Sequence, residues 1–97
     1  PRQRIPTEGT PRHVQIVTAE SGDVTLAWDE AAAGRRRVVV SHLSQSRAGF
    51  ATFSRAVLGH ATANEYPALA TASDAVVAAW VERDAATAGI RIARVVR

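Results

Sequence analysis

Apolar and polar residues alternate with period two along most of the chain. Val24, Leu26 and Trp28 alternate with Thr25 and Ala27, Val38 and Val40 with Arg37, Val39 and Ser41, and Ile90 and Ile92 with Arg91 and Ala93. Short alternating runs rich in β-branched and aromatic side chains predict half-buried strands rather than helices. Eight strands are expected, over residues 2–5, 14–19, 24–28, 36–43, 53–58, 67–72, 76–81 and 89–96. Turn-forming residues separate them, as in Glu20-Ser21-Gly22-Asp23. The Ala-rich segments 29–34 and 84–89 are short and each ends in Gly, so both are expected as long hairpin loops.

The pattern occurs twice. Ser21-Gly22-Asp23-Val24-Thr25-Leu26-Ala27-Trp28 lines up with Ser73-Asp74-Ala75-Val76-Val77-Ala78-Ala79-Trp80, an offset of 52 residues. At that offset Val38 and Val40 fall on Ile90 and Ile92. Upstream, a slip of one residue aligns Thr18-Ala19 with Thr71-Ala72, Ile16 with Leu69, Ile5 with Leu58 and Arg2 with Arg55. A four-stranded unit of about fifty residues, repeated, is the sequence signature of propeller blades. The expected fold is all-β: two four-stranded, blade-like antiparallel units, part of a β-propeller. Residues 1–97 form a single all-β unit, with repeat one over about 2–52 and repeat two over about 55–97. In strand order the chain reads as an outer fourth strand, a full blade, then a blade lacking its outer strand. Ring closure would seat the N-terminal strand beside the last one and remove an open edge. A fibronectin type III-like sandwich is the alternative, because residues 10–28 suit that module's first two strands.

Composition narrows the function classes. Apolar residues make up 46% and charged residues 22% of the 97, with no apolar run long enough for a transmembrane span. The first residue is Pro1 rather than Met, as expected of a processed form or a fragment whose secretion signal would lie upstream. Cys is absent, which excludes disulfides, a thiolate nucleophile and Cys-based metal sites. The net charge is +3 and all twelve basic residues are Arg, scattered apart from Arg35-Arg36-Arg37. Nucleic-acid binders concentrate such charge on one element, so nucleic acid is not an expected partner.

The blades resemble those of the sialidase-type (bacterial neuraminidase repeat) propeller superfamily. The residues that carry the likeness are Tyr66-Pro67-Ala68-Leu69, Val76 to Trp80 and Ile90-Arg91-Ile92-Ala93-Arg94, with Val38 to His42 in the first unit. The turn that follows resembles the family's Asp-box hairpin through Ser44, Gly49, Thr52 and Phe53. Ser46 stands where that motif has Asp, and the spacing is one residue longer before Gly49 and before Thr52. The resemblance implies a periplasmic or secreted location. It also implies, as an alternative function, the C-terminal part of a glycoside hydrolase.

Candidate sites are few. Trp28 and Trp80 are equivalent and are expected to pack between blades. Tyr66 is the one catalytic candidate: the resemblance implies a nucleophilic Tyr entering an innermost strand, and a phenol needs a carboxylate beside it. Glu65 is adjacent but would point to the opposite side of an extended strand, so a structural Tyr is the preferred reading. Arg35-Arg36-Arg37 is expected as a solvated hairpin rim, with an anion-binding patch as the sharper option. His13, His42 and His60 lack the spacing of a metal site and are expected at the surface or rim. Asp23, Asp29, Asp74 and Asp84 are expected in turns. No cofactor-binding or metal-binding residues are assigned, and no phosphate loop or nucleophile elbow is present. The expected function is a non-catalytic binding or scaffold segment. Its partners would be the rest of the propeller, or identical chains completing the ring, for example three copies closing as six blades.

Overall fold

A computed structural model describes residues 2–59, 61–73 and 75–96, apart from the side chains of Phe53 and Val96. His60 and Asp74 therefore lie outside the described residues. The chain is all-β. Thr10–Thr18 (β1), Val24–Ala32 (β2), Arg35–Ser46 (β3) and Gly49–Leu58 (β4) form a four-stranded antiparallel meander. Ala63–Ala72 (β5), Ala75–Arg83 (β6) and Ala88–Val96 (β7) form a three-stranded one. A single parallel bridge, Arg36 to Ala63, links the two along one sheet.

The repeat is geometric as well as sequential. Val38 and Val40 pair with Asp29 and Ala27 in the first meander, and Ile90 and Ile92 pair with Val81 and Ala79 in the second. The one-residue slip upstream is a difference in turn length: four residues separate Ala19 from Val24, and three separate Ala72 from Val76.

Period-two alternation gives each meander two faces. Thr25, Ala27 and Asp29 share one face of β2 with His42, Val40 and Val38 of β3, and β5 lies against it. The core between the meanders gathers Val38, Ala78 and Trp80, with Leu58, Leu69, Ala93 and Val95 half-buried around them. The other face of β2 carries Val24, Leu26, Trp28 and Glu30. Residues 2–9 cross it without forming a strand. The Gln3 amide bonds both backbone groups of Phe50 in β4, accepting from its N–H at 2.8 Å, and Glu8 pairs with Arg37. A cavity of about 540 Å³ remains beneath the crossing, lined by Ile5, Ile16, Val24, Leu26, Leu43 and Phe50 among others.

The expected strand at 2–5 is thus corrected. Its sequence matches β4, but it lies across its own meander and does not pair beside β7. The Ala-rich loop at 29–34 is corrected too. β2 runs on to Ala32, and the turn is only Ala33-Gly34, both at positive φ (53° and 75°), as a two-residue hairpin with right-handed strand twist requires. Asp29 and Glu30 are therefore buried strand residues, not turn residues.

Buried Glu30 needs partners. Trp28 Nε1 donates to its Oε1 at 2.7 Å and Arg37 Nη2 to its Oε2 at 2.8 Å. Burial pushes the carboxyl up. The hydrogen bonds from Trp28 and Arg37 and the charges of Arg37 and Arg55 outweigh this and hold it below the usual carboxylate range. A lowered folded-state value means that this stabilisation is complete above the unfolded value and is lost as pH falls through the folded one. Urea midpoints followed from neutral pH into the acid range should therefore drop less steeply in Glu30→Gln, which starts less stable at neutral pH. Parallel acid profiles for the two proteins would contradict this assignment.

Candidate functional site

The first strands of the two meanders carry the same irregularity at the same place. In β1 the pairing passes from Arg12–Asp29 to Gln15–Ala27, so His13 and Val14 together oppose Trp28. In β5 it passes from Glu65–Val81 to Ala68–Ala79, so Tyr66 and Pro67 together oppose Trp80. Each is a β-bulge, and Pro67 suits one because it has no N–H to give to a ladder. His13 and Tyr66 are the first residues of their bulges, with φ of 56° and 57°. Residues with a Cβ avoid this left-handed region, so both backbones are held there by their surroundings.

Those surroundings converge on one carboxylate at the seam between the meanders. Asp29, fully buried, accepts from the Tyr66 backbone N–H at 2.8 Å, a donor that the bulge has released from the ladder. His13 Nδ1 lies 2.7 Å from the same oxygen, and Arg36 Nη2 lies 2.9 Å from the other. Glu65 stands between Arg83 Nε at 3.2 Å and Arg36 Nε at 3.8 Å. The His13 and Tyr66 rings stack with centroids 4.3 Å apart and planes tilted by 36°.

This geometry sets the chemistry. A carboxylate oxygen accepts, so the contact with Asp29 places a proton of His13 on Nδ1. Tyr66 is exposed and His13 partly so, and together they present two ring faces, a ring nitrogen and a phenol. Arg36 and Arg83 are matched by Asp29 and Glu65, which leaves little unbalanced charge for an ionic ligand. Among the described residues, no group of three or more His, Asp or Glu side chains is placed to hold a metal ion.

Several sequence expectations change here. His13 is exposed as expected, with its ring held on Asp29, but His42 is buried, with its Nδ1 2.7 Å from Thr25 Oγ1. The Arg35-Arg36-Arg37 segment is not a solvated rim: Arg35 donates to the Ala61 carbonyl, Arg36 serves Asp29 and Glu65, and Arg37 serves Glu30 and Glu8. Tyr66 and Glu65 sit at the seam together, but the Glu65 oxygens face Arg36 and Arg83. Asp84 is in a turn as expected, and its carboxylate also accepts the Thr62 N–H at 3.0 Å. Sequence reasoning puts Asp29 in a turn and Arg36 in a rim or anion-binding segment, and it passes over Arg83. The available signal was that His13 and Tyr66 stand 53 residues apart, the offset of the slipped upstream half.

Compared with family models, with curated proteins and with solved structures, the chain matches none. Among the described residues no helix is long and apolar enough to cross a membrane.

Proposed function

We propose that the chain is a non-catalytic binding segment of a sialidase-like β-propeller, two consecutive blades whose seam holds a neutral, polyhydroxylated ligand against His13 and Tyr66. The observation that carries this reading is the pair of equivalent bulges, which bring two left-handed ring residues together over the buried Asp29. Strained non-glycine residues concentrate at ligand sites because their geometry has to be maintained by the surrounding fold. Two simple meanders stacked face to face support blades over a sandwich, whose sheets exchange strands through Greek-key crossings. An extracytoplasmic setting follows from the family resemblance.

The alternative, a glycoside hydrolase segment using Tyr66, would need a carboxylate at the phenol. Both arginines that flank Glu65 compete for that carboxylate. Two measurements separate the readings. Titration of isotope-labelled protein with neutral disaccharides should shift amide signals around residues 13 and 66, and the double variant His13→Ala/Tyr66→Ala should lose the shifts. No response to any of them would remove the binding reading. Turnover of an aryl sialoside that Tyr66→Phe abolishes would install the hydrolase instead.

A further inference from the structure

The internal repeat makes an unusual comparison possible: each meander shows how the other's equivalent surface is meant to be covered. Val38 and Val40 are 0% and 3% exposed beneath the second meander. Their equivalents Ile90 and Ile92 are 81% and 69% exposed, on a face of β7 and β6 that continues through Ala79 and Val81. The converse holds on the other side of the chain. Leu69 is half-buried in the cluster around Val38, and Pro67 is buried. Their equivalents on β1, Ile16 and Val14, are both mostly exposed.

We infer that a second copy of this chain docks head to tail, its β1 face with Val14 and Ile16 packing on the Ile90–Ile92 face of the first. The contact extends the outer part of the one already present inside the chain. Its centre, where Val38 meets Ala78 and Trp80, is not repeated, because the equivalent Leu26 lines the cavity beneath residues 2–9 and the equivalent Trp28 is already buried. Within the chain Val38 shares a cluster with Leu69, and between copies Ile90 takes the place of Val38 and Ile16 that of Leu69. Four of the large exposed hydrophobic side chains, otherwise a liability on a small surface, are accounted for by this one contact. Residues 2–9 cover Val24, Leu26 and Leu43 and border Ile16 on one side, while Val14 and Ile16 stay 58% and 61% exposed to a docking copy. The two surfaces differ, so the contact is heterologous, and repetition produces a ring where the rotation closes. The inference rests on reading the meanders as consecutive members of one ring.

The absence of Cys gives a clean background for the test. Sedimentation equilibrium across a wide concentration range should report masses above the 10.3 kDa of one chain. Ile90→Asp/Ile92→Asp should return the mass to that of one chain while circular dichroism stays unchanged, since both side chains are exposed. Under mild oxidation, Ile16→Cys mixed with Ile90→Cys should yield a mixed disulfide dimer, and neither variant alone should cross-link. A single-chain mass at every concentration overturns the inference, whether the face is left free or is covered by another segment of a longer protein. Cross-linking of Ile90→Cys with itself overturns the head-to-tail geometry. Saccharide titration of the Ile90→Asp/Ile92→Asp protein keeps this outcome separate from the seam, which lies on different residues.

Discussion

Replacing Asp29 with Ala should destabilise the chain by about 3–5 kcal/mol, the usual cost of removing one partner from a buried charge network. The carboxylate is fully buried and answers three groups at once: Arg36, the His13 ring and the Tyr66 backbone N–H. Without it a guanidinium is left largely out of water without its partner at Oδ1, and the donor released by the β5 bulge has no acceptor. An unsatisfied buried donor alone costs about 1–3 kcal/mol. Asp29→Asn should lose less, because the amide oxygen can still accept from one of these groups. The measurement is urea unfolding, where the midpoint should fall at an unchanged slope. A loss below about 1 kcal/mol would mean that the seam is wet and that Asp29 does not organise it.

The same residue shows where the sequence stopped being readable. Period-two alternation placed strands correctly at Val24–Trp28 and Val38–Val40, but it did not show that both are buried on both faces. Asp29-Glu30-Ala31-Ala32-Ala33-Gly34 is polar and small and looks like a loop. It continues as strand because partners compensate both carboxylates: Arg36 and Arg37 across the hairpin, and Tyr66 from the second meander. No local preference encodes such a partnership.

The bulges were hidden for a related reason. Neither His13 nor Tyr66 is a residue type that marks a left-handed backbone as Gly does, and only Pro67 hints at an interrupted ladder. The one-residue slip between the copies was legible, but the slip records turn length and does not mark the bulges. Segment 2–5 failed differently. It has the apolar pattern of β4, yet pattern alone does not choose between pairing at an edge and crossing a face. Here the exposed apolar surface of β2 and the backbone of Phe50 recruit it.

The two tryptophans, equivalent in the repeat, should respond differently to a smaller ring. Truncation to Ala should cost each about 3–5 kcal/mol, since both are buried and their removal leaves a large cavity. Substitution by Phe separates them. Trp28 Nε1 donates to buried Glu30 at 2.7 Å, and its ring lies 5.8 Å beneath the Arg55 guanidinium. Trp28→Phe therefore removes a donor from a carboxylate that has no water to turn to, in addition to the volume lost. Trp80 Nε1 is buried and finds no acceptor among the described residues. Trp80→Phe removes an indole N–H already desolvated without return, which offsets part of the lost packing. The expected order is a clearly larger loss for Trp28→Phe than for Trp80→Phe, and the two Ala variants add a cavity cost to each while keeping that order. Thermal or urea unfolding of the four proteins decides it. Equal losses for the two Phe variants would show that the Glu30 hydrogen bond contributes nothing net and that the tryptophans act as volume alone.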